Sequence, residues 1–95
     1  MLVLAIDTSS AAVIAALADV GDHDVVIGSE RVTVNAKAHG ELLAPSISDC
    51  LDDAGASPRD LGAIVAGLGP GPFTGLRVGL VTASAMANAL AIPSY

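Results

Sequence analysis

A chain of 95 residues and 9.3 kDa makes one small domain, and 10 Asp+Glu against 4 Lys+Arg, a formal charge of −6, argue against a basic nucleic-acid surface. Hydrophobic residues reach 53%, but 18 of the residues are alanine and there is one Phe, one Tyr and no Trp. The core must therefore be built from small side chains, with helix laid close on sheet. A domain of this size buries only roughly 60–70% of its unfolded surface, and 15% charged residues leave little polar cover for the remainder. A missing domain, a partner or both are expected. The single cysteine, Cys50, permits no intrachain disulfide, consistent with a reducing cytoplasm.

In chain order, Val3-Leu4-Ala5-Ile6 is a short apolar run that stops at Asp7, without the basic leader or the length of a signal peptide. A second run, Ala12 to Leu17, ends at the turn signal Asp19-Val20-Gly21-Asp22. A third, Val25-Val26-Ile27, continues through Gly28 into the alternation Arg31-Val32-Thr33-Val34. Three β-branched segments with tight breaks predict an antiparallel meander. Leu43, Ile47, Cys50, Leu51 and Ala54 then recur at helical spacing, with Ser48, Asp49, Asp52 and Asp53 on other faces and Gly55 as a stop, which predicts a helix over 40–54. Pro45 costs least there in a first turn.

Ser57-Pro58-Arg59-Asp60 combines an N-cap, a proline at the first helical position and an acid three residues on, predicting one short turn before the strand Ala63–Gly67. A helix over 75–91 follows a glycine-proline loop. The order βββαβα, with a glycine-rich strand-to-helix junction, implies a parallel return into the same sheet and an α/β layer. Val78–Ile92 is shorter than the roughly 20 residues that span a bilayer, so no membrane association is expected.

The most specific string is Gly67 to Gly79. Its glycines let backbone approach an anion, and Thr74 could cap the helix behind it, making Asp7, Thr8, Ser9, Gly69, Gly71, Thr74 and Gly75 a candidate phosphate loop. It matches neither the P-loop nor the dinucleotide fingerprint; the alternative is that the prolines stiffen a turn and the glycines seat the helix. Asp7 with its neighbouring hydroxyls could hold a metal-bound phosphate or close a hairpin. His39 has Leu43 four residues on, so a two-histidine metal face is absent; His23 sits in a polar turn, and Cys50 on an apolar stripe. No catalytic constellation, metal site or cofactor is expected. In the last helix Arg77 is the only charge, and no face is polar. A helix apolar all round is buried all round, which marks Leu76, Val78, Gly79, Leu80, Thr82, Ala83, Met86, Ala87 and Leu90 as a candidate interface, unless further polypeptide covers it.

Leu4-Ala5-Ile6-Asp7-Thr8-Ser9, His39-Gly40-Glu41-Leu42-Leu43-Ala44-Pro45 and the glycine-proline string with Phe73, Thr74, Gly75 and Arg77 together resemble the TsaB (YeaZ) family over the whole chain. The resemblance implies an actin-like, ribonuclease H-like lobe: a mixed sheet with two packed helices, its final strand missing, forming the N-terminal part (1–95) of a two-lobe protein. It implies a cytoplasmic, non-catalytic subunit in the formation of N6-threonylcarbamoyladenosine at tRNA position 37. Such a subunit pairs with TsaD and is joined by the ATPase TsaE, forms homodimers through the same helical surface, and meets tRNA only indirectly. TsaD holds its metal with a histidine pair on the first helix, and in His39-Gly40-Glu41-Leu42-Leu43 the second ligand is gone. A nucleotide-binding phosphotransferase or ATPase lobe of the actin-like superfamily is the alternative.

Overall fold

The computed structural model describes residues 1–8, 12–34, 39–67 and 75–95, with side chains except at 34, 39–42 and 75–78. Strands β1 (Leu2–Asp7), β2 (Ala12–Val20) and β3 (Val25–Val34) precede helix α1 (His39–Ala54), a 3-10 turn at Pro58–Asp60, strand β4 (Leu61–Ala66) and helix α2 (Gly75–Leu90). The sheet order is β3-β2-β1-β4, with β1 antiparallel to β2 and parallel to β4. The expected βββαβα order and mixed sheet are both present.

Strand alternation decides which side chains meet the helices. Leu4 and Ile6 of β1, Val13, Ala15 and Leu17 of β2, and Ile64 of β4 face Leu43, Ile47, Cys50 and Leu51 of α1 and Ala83 and Ala87 of α2 in one core. Full burial of a leucine or isoleucine contributes about 1.5–3 kcal/mol, so Leu4, Leu17 and Ile64, all at 0% exposure, anchor that layer. Polar ties fix α1 over β2 and β3. The Cys50 thiol donates to the Ala15 carbonyl at 3.2 Å, and Ser29 Oγ donates to the Cys50 carbonyl at 2.8 Å. Arg31 of β3 pairs with Asp53 of α1.

Both helices end in the same hydrogen-bond pattern. After α1, Gly55 takes φ 65°, its N–H donates to Asp52, and Ala56 N–H donates to Leu51 at 2.9 Å; this is a Schellman cap with glycine where positive φ requires it. After α2, Ala91 takes φ 56° in the equivalent place, with Ile92 N–H donating to Ala87 at 3.0 Å. The 3-10 turn has the expected cap: Ser57 Oγ accepts from Arg59 N–H, and Asp60 accepts from Ser57 N–H.

Two details refine the expected fold. Pro45 is the seventh residue of α1 rather than part of its first turn, so its missing N–H leaves the Glu41 carbonyl without an intrahelical donor. Among the described residues the sheet has four strands and the final strand is missing, as expected, but Pro93–Tyr95 make an isolated parallel bridge to β4, with Ile64 N–H donating to Pro93 at 3.1 Å, Tyr95 N–H to Ile64 at 2.8 Å and Ala66 N–H to Tyr95 at 2.8 Å. The proline that stops α2 also turns the chain into the extended conformation that pairing needs. The outer edge of β4 is therefore occupied over Ile64–Ala66.

Candidate functional site

Because β1 and β4 run parallel, their carboxyl ends emerge side by side, and Gly67 N–H donates to the Ile6 carbonyl at 2.8 Å. Asp7 and Gly67 are thereby brought into contact: a Cβ at position 67 would lie 2.5 Å from Asp7 Oδ2. Beside them opens a cavity of about 180 Å³, lined by Ala5, Ile6, Asp7, Ile14, Val65 and Gly67. Apolar walls with a carboxylate at the rim suit a cation or a hydrogen-bond donor; a bare phosphate would meet negative charge there. Among the described residues no cluster of three His, Cys, Asp or Glu could hold a metal ion.

Thr8, the next residue, has a different function. It is 1% exposed, and its Oγ1 accepts the backbone N–H of Gly79 from α2 at 3.0 Å. A Cβ on residue 79 would stand 2.5 Å from that oxygen. Glycine is what lets the helix backbone reach the strand end, so the Thr8 hydroxyl fastens α2 to β1. Of the candidate phosphate loop, Asp7 and Thr8 are thus placed at adjoining strand-end positions with separate surroundings, and Gly75 opens α2. Ser9, Gly69, Gly71 and Thr74 lie outside the described residues.

The candidate interface on α2 divides in two. Gly79, Ala83 (3% exposed) and Ala87 (6%) point into the lobe. They are core residues of this chain, which corrects their assignment to an outer surface. Thr82, Met86 and Leu90 are half-buried, and Leu80 is open at 37%. The side chains of Leu76 and Val78 lie outside the described residues. The residue that sequence reasoning missed is Val81, exposed at 67%, with Ser84, Ala85, Asn88 and Ala89 completing an outward face without charge. The signal was present: Gly75, Gly79, Ala83, Ala87 and Ala91 recur every four residues, and a small-residue row at that period marks the side that packs closely.

Cys50 is fully buried, and burial raises its thiol pKa above the ordinary value while the Ser29 hydrogen bond and Arg31 oppose the rise. This is an inert core thiol.

Comparison with known proteins accounts for this arrangement. Residues 32–95 match the family model of TsaD, tRNA N6-adenosine threonylcarbamoyltransferase. The tRNA threonylcarbamoyladenosine biosynthesis protein TsaB of Bacillus subtilis is 39% identical over 93 residues, covering 98% of this chain and 39% of that protein. The chain belongs to the TsaD family and is TsaB/YeaZ-like within it. YeaZ from Pseudomonas aeruginosa superposes with a TM-score of 0.84 at 33% identity, over 99% of this chain and 42% of that one. An uncharacterized protein of Mycobacterium tuberculosis is 53% identical over 93 residues, 98% of this chain and 43% of the relative. The chain thus spans less than half the length of these relatives. Its fold is the actin-like, ribonuclease H-like type. No helix among the described residues is long and apolar enough to cross a membrane.

Proposed function

We propose that this chain is the partner-binding lobe of a TsaB-like protein serving the formation of N6-threonylcarbamoyladenosine at tRNA position 37. In this reading it is a cytoplasmic, non-catalytic subunit. It docks on a TsaD-like transferase through the helical layer and supports that enzyme's activity, with a TsaE-like ATPase joining the assembly and tRNA held mainly by the partner. The observation that carries it is the outward face of α2, where Leu80 and Val81 stand exposed at 37% and 67% among uncharged small residues. Desolvating such a face costs little, and two branched side chains on a helix held by its buried stripe make rigid anchors. A homodimer through the same helices would compete with this docking.

The test is co-purification of a TsaD-like partner with the Val81→Lys and Leu80→Lys variants. Both positions are solvent-exposed, so folding by circular dichroism should be unchanged while binding is lost. Retained binding in the double variant would place the interface elsewhere.

One observation favours a second reading, a nucleotide-binding lobe: the cavity beside Asp7 at the ends of the parallel strands, the place where α/β sheets bind ligands. It predicts magnesium-dependent heat on titration with ATP or ADP that disappears in Asp7→Ala. A flat titration by the intact chain disposes of it.

A further inference from the structure

The cavity beside Asp7 lies on the face of the sheet turned away from both helices. Along β1, Leu4 and Ile6 enter the core under the helices, so Ala5 and Asp7, which alternate with them, point to the other side. The register supplies the flanks: Ile14 of β2 stands across from Asp7, and Val65 of β4 across from Ala5. Between those two branched side chains sit Ala5, with a single methyl, and Gly67, with no side chain at all. The hollow exists because small residues are set between large ones. At its end the Asp7 carboxylate rests against bare backbone, since a Cβ on Gly67 would lie 2.5 Å from Oδ2.

The chemistry of the lining narrows the ligand. Asp7 is the one charged lining residue, in a chain of formal charge −6, so the field there favours a cation and opposes an anion. A hard metal ion is poorly served, because calcium takes six or more oxygens and magnesium demands a near-ideal octahedron, and the other lining side chains are apolar. An ammonium is compact and strongly hydrated, and apolar walls replace none of that water. A guanidinium is planar and weakly hydrated, and it matches a carboxylate through two parallel N–H···O bonds. On an alkyl stem it also brings methylenes to lie against Ile14 and Val65. A carboxylate accepts through about four lone-pair positions, so a contact made by Asp7 on one side leaves room for another. The volume of about 180 Å³ suits one such side chain and falls short of the roughly 300–1,000 Å³ of pockets for larger ligands.

We propose that this cavity is a guanidinium subsite, taking the planar head of an arginine-like ligand on the Asp7 carboxylate and its alkyl stem between Ile14 and Val65 over Ala5. The group comes either from free arginine or from an arginine side chain of a bound polypeptide. The helical layer takes no part, so the subsite goes beyond the docking proposed above and stands or falls independently of it.

Amide NMR of the intact chain titrated with Nα-acetyl-arginine N-methylamide tests the proposal. The amides of Val65 and Gly67 should shift saturably, with Kd on the order of 1–10 mM, while those of Cys50 and Val81 stay still. The citrulline counterpart, of the same shape without the charge, should bind at least about tenfold more weakly, and the lysine counterpart likewise. Asp7→Asn should weaken binding at least about tenfold. Ala5→Leu fills the hollow and leaves the carboxylate in place, and should weaken it as much, both variants keeping the wild-type circular dichroism spectrum. L-Arginine binding more tightly than the capped probe identifies the free amino acid as the source; the reverse order identifies a polypeptide side chain. Shifts at Val65 and Gly67 with magnesium and ATP but none with the arginine probe give the cavity to the nucleotide reading and overturn this one. It is equally overturned by the absence of saturable shifts up to about 100 mM probe, by the citrulline or lysine counterpart binding as well as arginine, or by either variant binding as the wild type does.

Discussion

The contact between α2 and β1 can be tested by one added methyl group. In Gly79→Ala the new Cβ falls 2.5 Å from Thr8 Oγ1 and 3.7 Å from Ile6 Cγ2. Thr8 is 1% exposed and cannot swing into solvent, so helix and strand must part, which costs about 1–3 kcal/mol as overpacking. The N–H to Oγ1 bond at 3.0 Å is lost as well, costing about 1 kcal/mol. Alanine returns about 1 kcal/mol of helix propensity. The net is a destabilisation of about 1–3 kcal/mol, which for a small domain lowers the urea midpoint by about 1 M. Thr8→Ala removes the oxygen in the way, and in that background Gly79→Ala should be neutral or stabilising. Such a change of sign corresponds to a coupling of about 2 kcal/mol. Equilibrium urea unfolding of the four proteins measures it. A raised midpoint in the single Gly79→Ala variant, or additivity within about 0.5 kcal/mol, would refute the close approach.

Ala91 takes the left-handed conformation at φ 56°, so Ala91→Gly should stabilise the chain by about 0.5–1 kcal/mol, seen as a raised thermal midpoint. Ala83→Lys, at a site 3% exposed, should cost more than about 3 kcal/mol, whereas Val81→Lys two residues away should change the midpoint by less than about 0.5 kcal/mol. The Cys50 thiol should react with iodoacetamide only in urea. Because its pKa is raised in the folded state, the native chain holds the proton longer, and stability should fall as pH rises through the unfolded thiol's range near 9.0; Cys50→Ala should flatten that decline. Asp53→Asn breaks only a half-exposed ion pair with Arg31 and should cost at most about 1 kcal/mol.

The strands and helices among the described residues were legible because their signals were local. The β-branched runs gave β1 to β3, the spacing of Leu43, Ile47, Cys50 and Leu51 gave the buried side of α1, and Ser57 with Asp60 gave the cap. The rotation of α2 was not. In a helix without charge over most of its length, hydropathy has no phase, and residue size is the variable left to carry it. Leucine and methionine drew attention as anchors, while the sheet in fact receives Gly79, Ala83 and Ala87 and leaves Val81 outside. The pairing of Pro93–Tyr95 with β4 was hidden for another reason: three residues are too few for a period, and only the parallel neighbour shows their bridge. Asp7 and Thr8 were found together as one polar group, but successive strand residues face opposite sides. Thr8 went to the helix, and Asp7 to the cavity.

The same composition that thins the core also prepares the surface. Because glycine and alanine line the inner side of α2 at Gly79, Ala83 and Ala87, its backbone sits near enough to β1 for Thr8 to bond it directly. Leu80 and Val81 are thus held in place by backbone contact on the opposite side of the same helix turn. A docking surface fixed in this way gives up little conformational entropy on binding, which is where small interfaces gain affinity. The two halves of α2 are therefore linked in a way that experiment can read. A substitution that lifts the helix without touching its outer face, such as Gly79→Ala, should weaken binding of a TsaD-like partner under conditions where the lobe is still folded, and Thr8→Ala should restore that binding together with stability. If partner affinity is indifferent to Gly79→Ala while the stability change is observed, the outer face does not rely on the seating of the helix, and rigidity is no part of how this lobe binds.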